Sequence, residues 1–321
     1  MVLFRAPRLD EAGAVTDLLN ACSVAEIGVP DTLEDQVRSS WERPGRDLDA
    51  DVIVAEDGDR LVAYVEVDAR PPWTGLRIDG YVHPAAMGRG IGSAILERGE
   101  ARARALAARA AQGERVALFH GVWHGAPGAR LLEGRGYALS RLFWRMRIEL
   151  DSPPRDAEWP DGISVRPAAP GEDRALHAAD EEAFADHWQH RASPFDVWQH
   201  EQVSHPGYDR SLWFVAVDGG EIAGGVMCRR FDSEDPDAAY VADVFVRRPW
   251  RRRGMARALL LHAFGELYRR GICAAALDVD SQNPTGATGV YERVGMHVQR
   301  RVDIYEKELV AAGNEPVTPR G

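Results

Sequence analysis

The sequence predicts an α/β fold with a mixed sheet, laid down twice in succession. Three observations carry this. Apolar runs of strand length alternate with segments of helical period along most of the 321 residues. Two of the strands lead through a glycine-bearing turn into a long helix: Tyr240–Val246 runs on to the apolar pattern Met255, Leu259, Leu260, Ala263 and Phe264, and Arg77–Val82 runs on to a helix from Ile91 to about Ala111. Finally, the elements recur in order. Val54, Ala55, Asp57 and Gly58 return as Val215, Ala216, Asp218 and Gly219. Asp79, Val82, Gly90 and Gly92 return as Asp243, Val246, Gly254 and Ala256, and Leu132, Glu133, Gly136 and Leu150 return as Tyr291, Glu292, Gly295 and Leu309. Three blocks in one order, with only loop-sized differences in spacing, describe a duplicated domain.

Taken in order, a helix pattern from about Leu9 to Ala21 precedes a loop-rich stretch reaching Asp51. Val52–Val65 reads as a hairpin around Asp57-Gly58, because an Asp-Gly pair supplies the left-handed backbone that a tight turn needs. The strand near Arg77–Val82 and its helix follow, then a strand at Arg115–Phe119, a short helix ending near Glu133, and a closing strand at Phe143–Leu150. Residues 151–162 are polar and proline-rich, the composition of a linker. The expected organisation is therefore a first domain at 1–150, a linker at 151–162, a second domain at 163–310, and a loose tail at 311–321 with little to bury.

Composition narrows the function. Hydrophobic residues make up 45% and charged residues 28%, as in a globular protein. No apolar run approaches the ~18 residues of a membrane span, and Met1–Leu9 lacks the organisation of a signal peptide. Cys22, Cys228 and Cys273 are far apart and form no metal-binding spacing, which suits core thiols in a reducing cytoplasm. The net charge of −11 argues against nucleic-acid binding as the main role and favours a cationic or amine substrate. Arginine supplies nearly all the positive charge; Lys307 is the only lysine.

The most informative stretch runs from Val244 to Ala256. A strand, an arginine-rich turn, a glycine and a helix start stand in sequence. Backbone N–H groups at a helix N-terminus have no intrahelical partner and point at any anion placed there. Gly254 permits close approach, and Arg251, Arg252 and Arg253 add charge. No Gly-Lys-Ser/Thr follows and no Gly-x-Gly-x-x-Gly is present, so neither a Walker loop nor a dinucleotide fingerprint fits.

Arg251-x-x-Gly254-x-Ala256 after a strand ending in Val246 resembles the acetyl-CoA signature of the GNAT acetyltransferase superfamily. A second stretch, Leu277 to Met296, resembles that family's pattern of a strand, an Asn, small residues, Tyr-Glu and a Gly-aromatic pair, with Met296 in place of the aromatic. The resemblance covers nearly the whole chain, and the tandem arrangement is similar to that of mycothiol synthase and other two-domain acetyltransferases. It implies an N-acetyltransferase that moves acetyl from acetyl-CoA directly to a primary amine of a small molecule or peptide. It also implies that the second copy is the active one. Phe245, Val246, Arg251, Arg252, Arg253, Gly254, Met255, Ala256 and Asn283 would then contact the coenzyme, and Tyr291 would protonate its sulfur.

In the first copy Met87 takes the place of Arg251, while Gly88, Arg89, Gly90, Ile91 and Gly92 keep the turn after Val82. Leu132 stands where Tyr291 stands, and leucine donates no proton. The first copy is therefore expected to lack the chemistry, with its coenzyme turn retained. Asp243 is the candidate base, although Asp79 holds the same place in the copy read as inert. The histidine- and aromatic-rich segment from Ala183 to Tyr208, with His187, Trp188 and Trp198, is the expected acceptor wall. His187 and His190 lack the paired carboxylates of a metal site, so no metal is expected. Two other readings stay open at this point. One is mycothiol synthase proper. The other is a non-enzymatic acyl-CoA-binding module, for which a proton donor at Tyr291 would have no use.

Overall fold

The computed structural model describes residues 1–283 and 286–310. Pro284 and Thr285 of the second signature, and the tail expected to be loose, lie outside the described residues.

The first copy supplies β1 (Leu3–Arg5), α1 (Ala12–Ile27), α2 (Glu34–Trp41), α3 (Leu48–Asp51), β2 (Val52–Asp57), β3 (Arg60–Asp68), β4 (Gly75–Val82), α4 (Ile91–Ala107), β5 (Val116–Trp123), α5 (Gly128–Gly134) and β6 (Ala138–Glu149). The second supplies β7 (Ile163–Pro167), α6 (Asp173–Phe184), α7 (Phe195–Val203), β8 (Tyr208–Asp218), β9 (Glu221–Arg229), β10 (Ala238–Val246), α8 (Met255–Arg269), β11 (Ala274–Asp280), α9 (Ala287–Arg293) and β12 (His297–Val310). Apart from α3, the two series match element for element.

The early helix starts later and runs longer than its apolar pattern suggests. Glu11 explains the start, because its carboxylate accepts from its neighbour's backbone at Arg8 N (2.8 Å) and from Arg5. Gly28, left-handed at φ 83°, ends it. The stretch read as loop contains α2 and α3, which are too short and polar to show a period.

The chain forms two compact units, Met1–Leu142 with the C-terminal segment from Val302, and Phe143–Arg301. The boundary thus falls inside β6 and β12 and not in the expected linker, which belongs to the second unit. Within the second unit, Phe143–Glu149 of β6 pairs antiparallel with β11. Within the first, β12 from Val302 onward pairs antiparallel with β5. Each copy's last strand therefore completes the sheet that holds the other copy's earlier strands. Both strands carry the same alternation, so nothing local to either sequence says which edge receives it.

The first unit orders its strands β1-β2-β3-β4-β5-β12, and the second β7-β8-β9-β10-β11-β6. In each, one pair is parallel: β4 with β5, and β10 with β11. In the second unit α8 buries Met255, Leu259 and Phe264 against one sheet face with Met146 and Leu277. On the other face, Leu176 of α6 and Trp198 of α7 pack with Trp213, Met227 and Phe245. Nearly every buried side chain here is apolar, so burial at about 25 cal/mol per Å² drives the assembly.

Candidate active site

Strands β10 and β11 pair only at Ala238–Tyr240 with Ala274–Ala276. Beyond this the ladder stops and the strands part. β10 also carries a bulge: its register with β9 shifts between Val241 and Asp243. Side chains alternate along a strand, so Tyr240 and Asp243 would ordinarily face opposite ways. The extra residue puts both on the α6–α7 face. β4, the matching strand of the first unit, keeps an unbroken register with β3.

At the end of β10 a short 3-10 turn, Arg248–Trp250, leads to Gly254, which caps α8 at φ 85°. A Cβ added there would meet nothing within 4 Å, so the space before the exposed N–H groups of α8 is open. This suits a pyrophosphate lying close to the backbone. Arg251 does not face that space. Its Nε donates to Val246 O (3.1 Å), its Nη2 to Ala183 O (2.8 Å), and its Nη1 pairs with Asp186 (3.1 Å). Arg251 thus clamps the turn to the end of α6, and the expectation that its charge meets the ligand gives way to a structural role. Arg253 is exposed, with one 3.2 Å bond to Asp161 O. Arg252 is exposed, has no hydrogen-bond or ion-pair partner among the described residues, and sits in the left-handed region at φ 62°. The side chains of Phe245 and Met255 are core residues, so only their backbones can address a ligand. Ala256 is half-buried.

Tyr291 lies on α9 and is 9% exposed, packed in the α8–α9 core. Burial, with a smaller contribution from the charge of Asp243, pushes its hydroxyl up to about 12, so it stays protonated at neutral pH. Asp243 approaches from the opposite face and accepts a hydrogen bond from Gln202 Nε2 at 2.8 Å. Loss of hydration raises its carboxyl above the ordinary range, and the charge of Arg229 and the Gln202 bond partly offset this.

The sequence reading missed Asp180 on α6. It is 7% exposed, its Oδ1 has no hydrogen-bond partner, and burial followed by the charge of Asp243 pushes it well above the usual carboxylate range. Trp198 Nε1 lies near enough to lower that tendency, yet it too makes no hydrogen bond. A signal was available: Leu176, Ala179 and Ala183 form a buried helical stripe, and Asp180 interrupts it.

Trp198, expected in the acceptor wall, is a core residue packed on His177, Phe195 and Trp213. His187 stacks edge-on against Phe184 at 4.4 Å, and burial lowers its basicity. Trp188 is half-buried, its ring 6.3 Å from that of Phe143. Asn283 closes a turn after β11, its N–H bonded to Asp280 O at 3.0 Å.

The first unit repeats the turn with different side chains around it. Gly90 caps α4 at φ 79°, and Gly88, at φ 75°, stands where Arg252 stands. Arg89 pairs with Asp57 (2.7 Å), Val82 O accepts from Cys22 Sγ (3.3 Å), Ile91 is buried, and Gly92 faces Leu131. Leu132 fills the place of Tyr291 as a core residue. Asp79 is held by Arg77 at 2.8 Å, whereas Asp243 accepts its hydrogen bond from the neutral Gln202. Trp41, Tyr64 and Glu66 are hydrogen-bonded in series on the same face.

Comparison with known proteins follows the same division. Residues 174–296 match the profile "Acetyltransferase (GNAT) family", and residues 49–137 match "Acetyltransferase (GNAT) domain". A mycothiol acetyltransferase of Thermobispora bispora is 31% identical, over 79% of this chain and 82% of that protein. Among solved structures, a GCN5-related N-acetyltransferase from Sphaerobacter thermophilus is 36% identical with a TM-score of 0.78, over 96% of this chain and 95% of that one. A tandem GNAT protein from the clavulanic acid biosynthesis pathway shares the fold at 19% identity and a TM-score of 0.69, over 96% and 98% of the two chains.

Proposed function

We propose that this chain, which belongs to the acetyltransferase (GNAT) family and is an acetyl-CoA-dependent N-acetyltransferase, carries out its transfer in the second unit on a small-molecule primary amine. The observation that supports this most is the parting of β10 and β11 between Asp243, on the α6–α7 face, and Tyr291, in the α8–α9 core, beside the glycine-capped turn at Gly254. Asp243 takes a proton from the acceptor ammonium, freeing the nitrogen lone pair to attack the acetyl carbon. As the carbon–sulfur bond breaks, Tyr291 gives its phenolic proton to the departing sulfur. The nitrogen's remaining surplus proton restores the tyrosine, and Asp243 releases its own to solvent, so one proton is liberated per acetyl moved. Such general acid–base help contributes about 10²–10⁴ each.

The first unit, with Leu132 and an ion-paired Asp79, is read as non-catalytic. No helix among the described residues is long and apolar enough to cross a membrane, and dependence on acetyl-CoA supports a cytoplasmic site of action. A second reading, acetylation of the mycothiol precursor, is favoured by the name of the relative 31% identical to this chain. An acetyl-CoA thiol-release assay over an amine panel that includes that precursor tests both. Thiol release that survives Tyr291→Phe unchanged removes the proposed site, and turnover of the precursor above every other amine selects the second reading.

A further inference from the structure

On the α6–α7 face of the second sheet, a carboxylate oxygen and a guanidinium nitrogen are each buried without a hydrogen-bond partner, and they have opposite character. Asp180 offers a carboxylate oxygen with no donor. Arg229, at the end of β9, offers a guanidinium that donates no hydrogen bond and pairs with no carboxylate among the described residues; its buried Nε is unpartnered. It lies over the ring of Tyr240 at 5.6 Å and is cross-strand neighbour to that residue. Asp243, opposite Met227, is its diagonal neighbour on the same face. Elsewhere in the molecule the buried Arg145 is surrounded by three carboxylates and Arg43 is paired with Asp68. Arg229 is half-buried and near enough for its charge to act on Asp243, yet its guanidinium is bonded to no carboxylate among the described residues, and a guanidinium matches a carboxylate in a bidentate fork.

We infer that the acceptor is a zwitterion of amino-acid type, with its ammonium between Asp180 and Asp243 and its carboxylate on Arg229. This rests on the acetyl-transfer reading above and gives its substrate a class. The orphan acceptor and the orphan donor then satisfy each other through one ligand. An amine without an anionic group leaves the guanidinium unmatched, and discrimination against a ligand that leaves a buried polar group unpaired reaches about 10⁴. The ammonium placement also delivers the nitrogen to Asp243, so the group that binds the acceptor is the group that takes its proton.

The test measures thiol release from acetyl-CoA with matched pairs of free amino acids and their carboxamides, and acetyl-CoA affinity by calorimetry. The wild-type chain is expected to favour the acids at least about tenfold in kcat/KM, roughly one bidentate contact's worth. Arg229→Gln is expected to erase that preference through KM while leaving acetyl-CoA affinity intact, and Arg229→Lys to restore part of it. Equal use of acid and amide by the wild type overturns the inference, as does preferential turnover of the mycothiol precursor. An Arg229→Gln variant that loses acids and amides alike also overturns it. In each of these cases acetyl transfer itself stands. A chain that binds no acetyl-CoA loses both.

Discussion

Gln202 donates a 2.8 Å hydrogen bond from Nε2 to Oδ2 of Asp243, giving a carboxylate on a sheet face a neutral partner where its repeat counterpart, Asp79, has Arg77. With no cation bonded to it among the described residues, loss of hydration raises the Asp243 carboxyl above its ordinary range. Its folded pKa is raised, so the native state holds the proton more tightly than the unfolded chain. The stability this brings is complete below the unfolded value of about 3.9 and is lost as pH rises through the folded value. Activity has the opposite sign, because the base must be ionised. Asp243→Asn is expected to lower turnover by about 10²–10⁴, to erase the acidic limb of the pH–rate profile, and to leave stability at pH 7 unchanged or higher. Gln202→Ala should move that limb to higher pH, since a bond favouring the ionised form is gone. A pH–rate series with urea denaturation at pH 7 checks all four statements.

Tyr291→Phe keeps the ring and its place in the core. Turnover is expected to fall by about 10²–10⁴, while melting temperature and acetyl-CoA affinity hold. Because the hydroxyl is pushed up to about 12, no basic limb below pH 10 should belong to it. Wild-type activity falling between pH 8 and 10 with a limb that disappears in the Phe variant would contradict the assignment.

The turn separates two arginines with opposite effects. Arg251→Met, the residue of the first copy, strips partners from Val246 O and Ala183 O, and each unsatisfied buried acceptor costs about 1–3 kcal/mol. Arg252→Gly relieves a left-handed backbone at φ 62° and should stabilise the chain by up to about 1 kcal/mol. Thermal melts of the two variants should therefore shift in opposite directions.

Gly254→Val places a branched side chain at φ 85°, directly in the open space before α8. The strain is about 1–2 kcal/mol, small enough for the fold to persist. Calorimetry should show acetyl-CoA binding weakened at least tenfold, with Gly90→Val in the first unit leaving turnover in place.

Arg145→Ala removes the cation that Asp232, Glu234 and Asp278 share. The buried Asp232 then lacks its charge partner, while the buried carboxylate of Glu234 keeps Arg300, so about 3–5 kcal/mol of stability should go. The loss should shrink on acidification, as Asp278, whose carboxyl burial already raises, takes up a proton. Denaturant titrations at pH 5 and pH 7 measure it.

The sequence by itself determined the fold class, the duplication, the order of the strands and longer helices, the glycine-capped turns and the unequal Tyr291–Leu132 pair. These are local facts: strand and helix periods, a glycine where the backbone turns left-handed, and a residue type that either carries a proton or does not. Tertiary structure decided the rest. The exchange of β6 and β12 between units depends on which sheet edge a strand meets, and alternation alone is blind to that. Arg251 reads as ligand-facing charge until the carbonyls of Ala183 and Val246, distant or silent in sequence, claim its donors. Trp198 reads as a wall until it is seen packed in the core. Asp180, Gln202 and Arg229 lie on three different elements and acquire meaning only where α6, α7 and β9 converge on Asp243. There, desolvation and the charges of neighbours remote in sequence set the protonation of each carboxylate, and no window of sequence contains those neighbours together.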